Sequence, residues 1–270
     1  MKLGVAYNIF DGQEMLVHSV TNLRPMVDFI CVIFQHKSNF GNTNPKLWKV
    51  LKELVNNHLV DSIYHYEPSF EVTYPNTNEI HRENGIRNEI KKRNLGLQKC
   101  RENGCDTFMT IDCDELYDPI QFEWAKKDFE NNGHDTSFTQ MKTYYKFPTI
   151  ELSPPEDYYA PLFYKLHKDT SFDLKHFTSE YPVHIDPTRR VKAGYSRIYS
   201  RDEIEMYHYA YVRKSIRMKV ENSSSQSSDE DKDKVCYHFD HWKGIEDKAL
   251  FIGNTEYTLK EVDNKFNIEI

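Results

Sequence analysis

No apolar run in this chain exceeds six residues, Phe29 to Phe34, far short of the roughly 20 that a membrane-spanning helix requires. The polar Asn8 and Asp11 also interrupt the stretch where a signal peptide keeps its apolar core, so the cytoplasm, or a host cytoplasm for a viral chain, is the expected compartment. An excess of positive charge is missing too. Thirty-five Lys and Arg face 42 Asp and Glu, a formal charge of -7 over 270 residues, so no global field draws the protein to nucleic acid or an acidic membrane. Cysteine is scarce and unpatterned: the five residues at 31, 100, 105, 113 and 236 lack the two-residue spacing of a zinc site and read as reduced thiols. Aromatic residues, by contrast, reach 14%, with 18 Tyr, enough for a tyrosine-lined cleft in addition to a core.

The first 115 residues alternate strand-like and helix-like segments, and a further helix is expected beyond them. Leu3 to Tyr7 is an apolar run ending at a polar loop, Gln13 to Leu23 carries Leu16, Val20 and Leu23 at helical spacing, and Phe29 to Phe34 reads as a strand buried on both faces. A helix is expected from Pro45, burying Leu47, Leu51, Leu54 and Val55, then a strand over 61–66, a helix over 84–103, a strand over 107–111 and a helix over 119–132. This order predicts an α/β fold, a mostly parallel sheet with helices on both faces, whose ligands bind at the carboxyl ends of the strands. Strand-like pieces over 136–145 and 161–166, around a Pro-rich stretch, suggest a smaller acceptor-side subregion. The expected division is a domain over 1–220, with halves 1–118 and 119–220, a mobile polar loop over 221–235 and a C-terminal extension over 236–270.

Chemistry is expected where the apolar Phe108 to Ile111 runs into Asp112-Cys113-Asp114-Glu115. Two carboxylates at the ligand edge of a sheet repel each other unless a cation lies between them, and Mg²⁺ or Mn²⁺ suits oxygen ligands. The same spacing recurs at Asp229, Asp231 and Asp233, but there no strand delivers it and no Gly stands at the sixth position that a calcium loop needs.

The run Lys92-Arg93-Asn94-Leu95-Gly96-Leu97, followed by Gly104-Cys105-Asp106-Thr107-Phe108-Met109-Thr110-Ile111-Asp112-Cys113-Asp114-Glu115, resembles the nucleotide-sugar-dependent glycosyltransferases of the GT-A fold, especially family-2-like members with a DxD motif. The resemblance covers about the first 120 residues, taking in Tyr7-Asn8 after the first strand and Gln35-His36-Lys37-Ser38-Asn39 after the second. It implies that Tyr7, Asn8, Gln35 and Ser38 hold base and ribose of a nucleoside-diphosphate sugar, a UDP-sugar first of all, with Lys92 and Arg93 facing the nucleotide. It also implies that Asp114 ligates Mn²⁺ or Mg²⁺, with Asp112 as a ribose or second metal contact. The later segment Met206 to Lys219 looks like the part that closes over the diphosphate, His208 adding a metal ligand and Arg213, Lys214 or Arg217 meeting phosphate oxygens.

An inverting transfer needs a carboxylate base, and Glu151, Glu156, Asp157 and Asp186 all follow the acidic pair. His184 is a further acceptor-side candidate. Arg189, Arg190 and Lys192 offer a track for an anionic acceptor. A glycan, a lipid-linked glycan, a protein or a modified base in DNA are all compatible acceptors. Two other readings stand beside the transferase. A sugar-1-phosphate nucleotidyltransferase requires a glycine-rich loop after the first strand, where only Gly12 is found, and a non-catalytic nucleic-acid or carbohydrate-binding module has no need of the acidic pair.

Overall fold

The computed structural model describes residues 1–69, 78–175, 181–182, 184–192, 194–222, 228–251 and 255–269, with the backbone alone for 78–82. The elements run β1 (Leu3–Ile9), α1 (Gln13–Leu23), β2 (Phe29–Phe34), α2 (Leu47–Asn56), β3 (Ser62–His65), α3 (Asn78–Glu102), β4 (Thr107–Ile111) and β5 (Glu115–Tyr117). They continue with α4 (Pro119–Asn132), β6 (Thr136–Tyr145), β7 (Ile150–Ser153), β8 (Tyr159–Lys165), β9 (Ser196–Ile198), β10 (Glu205–Tyr211), α5 (Arg217–Glu221), α6 (Asp229–Asp240), β11 (Ala249–Phe251) and β12 (Thr255–Glu261). The fold is α/β, with a 12-stranded sheet in the order β11-β12-β7-β6-β8-β4-β1-β2-β3, with β9 and β10 attached beside β6 and β5 beside β10.

The parallel arrangement expected of the first four strands is present: β4, β1, β2 and β3 lie side by side and parallel. β1, β2 and β4 are buried on both faces because helices cover both, while β3 at the edge is only half-buried. Val5, Tyr7 and Ile9 of β1 pack with Leu16 and Val20 of α1 and Leu51 of α2, whereas Ala6 packs with Leu97 and Cys100 of α3. The chain moves outward from β1 to β3 and then returns through α3 to the other side of β1. That reversal opens a crevice outside the carboxyl ends of β1 and β4, where the connecting loops part. Beyond β4 the sheet becomes mixed, since β8 is antiparallel to both β4 and β6 while β10 runs parallel to β6 and antiparallel to β5.

Several expectations are corrected. Val55 is 43% exposed, because the buried stripe of α2 passes through Leu47, Leu51 and Leu54. The Pro-rich stretch holds β7, which β12 pairs antiparallel. The polar run expected as a loop over 221–235 is in part helical. Residues 223–227 lie outside the described residues, but Ser228 caps α6 by accepting from Asp231 N at 3.1 Å, while the Asp231 carboxylate accepts from Ser228 N. The acids at 229–231 then sit at the positive end of the helix, and Val235, Cys236 and Phe239 anchor it. All five cysteines are free and buried. Among the described residues no helix is long and apolar enough to cross a membrane.

Candidate active site

A cavity of about 600 Å³ occupies the crevice. The β1 loop contributes Asn8, Phe10 and Asp11, the segment after β2 Gln35, Ser38, Asn39 and Phe40, α3 Glu89, Lys92 and Arg93, and the end of β4 Asp112 to Glu115. The second half supplies Glu156, Tyr158, Asp186, Arg189, His208, Tyr211, Arg213 and Lys219 among others. Gly12 closes the β1 loop at φ +82°, and a Cβ there would lie 2.6 Å from Cys113 Sγ and 2.8 Å from Arg213 Nη2, so both the turn and the approach of Arg213 require glycine.

The two aspartates are held differently. Asp112 is part-exposed, its Oδ2 accepting from Arg189 Nη2 at 2.6 Å with Arg93 Nη2 3.7 Å from Oδ1. Burial opposes its ionisation, but Arg189, Arg93 and Lys92 together hold its carboxyl well below the usual carboxylate range. Asp114 is buried, its Oδ2 accepting from Arg213 Nη2 at 2.9 Å and its Oδ1 lying 3.8 Å from His208 Nε2. There too burial is outweighed, by Lys219, His208 and Arg213, so the carboxylate stays ionised. Burial pulls the His208 imidazole below its ordinary value and so favours the neutral ring, against the attraction of Asp114 for the charged one, and its Nδ1 has no partner among the described residues. β10 fixes this geometry by donating from Tyr209 N to Asp114 O at 2.7 Å.

Arg189 joins the two ends of the acidic run. Its guanidinium bonds Asp112 and also Glu115, at 2.6 Å and 3.3 Å to the two Glu115 oxygens. Burial pushes the Glu115 carboxyl up to about 7 despite that cation. Arg93 ties α3 into the same network, donating to Thr110 Oγ1 at 2.9 Å and lying 3.1 Å from Glu89 and 3.5 Å from Asp186.

On the β2 side, Gln35 donates through Nε2 to Lys37 O at 2.7 Å, which fixes the amide and leaves Oε1 buried without a partner among the described residues. Asn8 Nδ2 meets Thr110 Oγ1 at 2.8 Å, and Asn8 Oδ1 is likewise unpartnered. Ser38 accepts from Phe40 N and Asn42 N, which folds the loop around the cavity edge.

The structure therefore gathers Asn8, Gln35, Ser38, Lys92, Arg93, Asp112, Asp114, Glu156, Asp186, His208 and Arg213 at one cavity, and leaves other candidates out of it. Tyr7 is fully buried in the core with its hydroxyl 3.0 Å from Ser19 Oγ, because it shares the face of β1 that α1 covers. Glu151 is a β7 residue paired with Lys260 at 2.6 Å. Asp157 is exposed beside the equally exposed His184. Lys214 is exposed outside the cavity, and Arg217 pairs on the surface with Asp233 at 3.0 Å. Arg189, expected on an acceptor track, is buried among carboxylates. Asp11, Glu115 and Lys219 also line the cavity, although the sequence assigned none of the three a role there. Asp11, in the first strand's loop, carried the same positional signal as Asn8.

Among the described residues no three His, Cys, Asp or Glu side chains are gathered as a ready metal cage. The donor set nevertheless fits a divalent cation. Asp114 commits one oxygen to Arg213, its Oδ1 to His208 Nε2 separation of 3.8 Å suits two ligands of one ion, Asp112 Oδ1 faces only Arg93 at 3.7 Å, and burial favours the neutral imidazole that a metal ligand needs.

No protein-family model matches this chain, and no curated protein sequence does either. Solved structures do show likeness. S. aureus TarS 1–349 aligns over 88% of this chain and 70% of its own at 12% identity with a TM-score of 0.47, and the same TarS piece in complex with UDP-GlcNAc over 88% and 71% at the same identity and score. Mannose-1-phosphate geranyltransferase from Thermus thermophilus aligns over 61% and 50%, at 12% identity and a TM-score of 0.31.

Proposed function

We propose that the protein is a metal-dependent glycosyltransferase of the GT-A type, moving a sugar from a nucleoside-diphosphate sugar, a UDP-sugar first of all, to an acceptor hydroxyl with inversion. The observation that carries this reading is the pair Asp112 and Asp114 at the end of β4, facing a cavity of about 600 Å³, with the second oxygen of Asp114 lying 3.8 Å from His208 Nε2. Seven Asp or Glu and five Lys or Arg line that cavity, an acidic balance that a divalent cation offsets.

In this reading Asp112, Asp114 and His208 hold Mn²⁺ or Mg²⁺, the imidazole favouring Mn²⁺. The ion, when bound, stabilises negative charge on the departing nucleoside diphosphate. Gln35 and Asn8 offer buried amide oxygens to donors on the base or ribose, and Ser38 shapes the loop around them. Arg189 and Arg93 orient Asp112, and Arg213 orients Asp114. Glu156 receives the acceptor proton: Thr143 donates to its Oε2, and its Oε1 has no partner among the described residues.

Calorimetry with UDP, with and without Mn²⁺, tests the assignment, followed by UDP-sugar hydrolysis. Asp114→Asn keeps the shape of the side chain and is expected to abolish the Mn²⁺-dependent part of UDP binding together with hydrolysis. Full activity in that variant, with an unchanged melting profile, would refute the metal-dependent reading.

A further inference from the structure

The connection from β7 to β8, residues 154–158, carries Glu156, yet among the described residues no backbone-to-backbone hydrogen bond holds it. Main-chain groups that leave a sheet must find other partners or water. Here two side chains supply them. His184 Nδ1 lies 3.1 Å from Asp157 O at the surface, and Arg201 Nη2 donates to Glu156 O at 2.9 Å. The same guanidinium donates through Nη1 to Met141 O of β6 at 2.9 Å and pairs with the buried carboxylate of Glu205, which also meets Lys142 at 3.0 Å. Arg201 stands in the turn from β9 to β10, and that turn is fixed: Glu203 N and Ile204 N both donate to Ser200 O, at 3.1 Å and 3.2 Å, and Ile204 is fully buried.

Glu156 is thereby set at both ends against one strand. Its carbonyl is tied through Arg201 to Met141, its Oε2 accepts from Thr143, and Met141 and Thr143 are both β6 residues at the cavity wall. A guanidinium is a rigid planar fork, so it fixes direction as well as distance between the groups it joins. A general base must lie within hydrogen-bond reach of the proton it takes, and a displacement of about 1 Å costs on the order of 10²-fold in rate. We propose that Arg201 is a positioning residue for the transfer, holding the main chain of 154–158 so that the Glu156 carboxylate keeps its place at the cavity. Arg201 does not itself line the cavity, so it acts through Glu156 and not on donor or metal. This rests on the reading of Glu156 as the base and deepens it.

The test is a double-mutant cycle on the whole protein, Mn²⁺ present throughout, with calorimetric UDP binding and kcat for hydrolysis of a UDP-sugar that the wild type turns over. It compares the wild type, Arg201→Met, Glu156→Gln and the two combined, with Lys142→Met as a control that removes the other partner of Glu205 and leaves Glu156 untouched. Arg201→Met is expected to lower kcat about tenfold with UDP affinity within about twofold, and to lower it by less than about twofold further once Glu156→Gln is present. Lys142→Met is expected to match the wild type. An arginine that only supported the fold would reduce the residual rate of Glu156→Gln by the same factor as the wild-type rate. Should Arg201→Met unfold in a thermal melt, Arg201→Lys takes its place in the cycle, because it keeps a charge beside Glu205 while one ammonium cannot reproduce the fork that joins two carbonyls. Wild-type kcat in the folded Arg201 variant, or equal losses in both backgrounds, overturns the proposal and leaves the base and nucleotide readings standing. Wild-type kcat in Glu156→Gln overturns the base assignment and this proposal with it, and a wild type that turns over no UDP-sugar overturns both together with the UDP-sugar reading.

Discussion

Glu156 and Asp186 both reach the cavity, but their oxygens are engaged differently. Asp186 Oδ1 accepts from Thr188 N and Thr188 Oγ1, both at 2.8 Å, and Oδ2 lies between Arg93 and Arg189, so that carboxylate belongs to the framework. Glu156 meets one hydroxyl and keeps an oxygen. Glu156→Gln is therefore expected to lower kcat for UDP-sugar hydrolysis by roughly 10²- to 10⁴-fold with UDP affinity unchanged, whereas Asp157→Asn leaves both alone. Steady-state kinetics beside calorimetry checks this, and wild-type kcat in Glu156→Gln would remove it from the base position. At this scale the sequence was legible where an apolar strand pointed at a polar end, as at Asp112 and Asp114. It was also legible in a signal not used, since period-two alternation puts Tyr7 with Val5 on one face of β1 and Asn8 on the other. Arg189 was not legible: Pro187-Thr188-Arg189-Arg190 has the look of a basic surface turn, and only the tertiary fold brings it to Asp112, 77 positions earlier.

Among the elements, α3 is the one whose position the site depends on most, because it carries Glu89, Lys92 and Arg93 across the cavity wall. It lies close against β1 at Gly96, where a Cβ would come 2.5 Å from Ala6 Cβ and 3.4 Å from Ile33 Cγ1. The Ala6 atom is bonded to a central strand and has no rotamer to escape into. Gly96→Ala is thus expected to destabilise the protein by about 1–3 kcal/mol through overpacking, less the gain of up to about 1 kcal/mol that alanine brings to a helix. Urea unfolding measures the balance, and a variant more stable than the wild type would contradict the close packing. Elements with a strong period were readable from the sequence, and α1, β2, β4, α4 and β6 run between the residues expected. β7 was hidden because its four residues sit among prolines and gain stability from β12, a partner about a hundred positions away. α6 was missed because its first half is polar throughout and its apolar anchors begin only at Val235.

For the molecule as a whole, the cavity is shared between the parallel strands and the later, mixed part of the sheet, so a ligand there bridges both. UDP with Mn²⁺ is expected to shift a single unfolding transition upward, by about 2.7 kcal/mol when the ligand stands at a hundred times its dissociation constant. Calorimetric scanning tests this, and two transitions of which only one moves would contradict the shared site. The same arrangement has a consequence in time. Asp11 meets Arg213 at 2.5 Å across 202 positions of chain, and Asp114 meets it across 99. A ribosome that has just passed Asp114 has delivered the acidic pair and Arg93, yet Arg189, Arg213 and His208 are still unmade. The candidate site therefore stays incomplete for most of the chain's synthesis, until β10 is made and pairs beside β6.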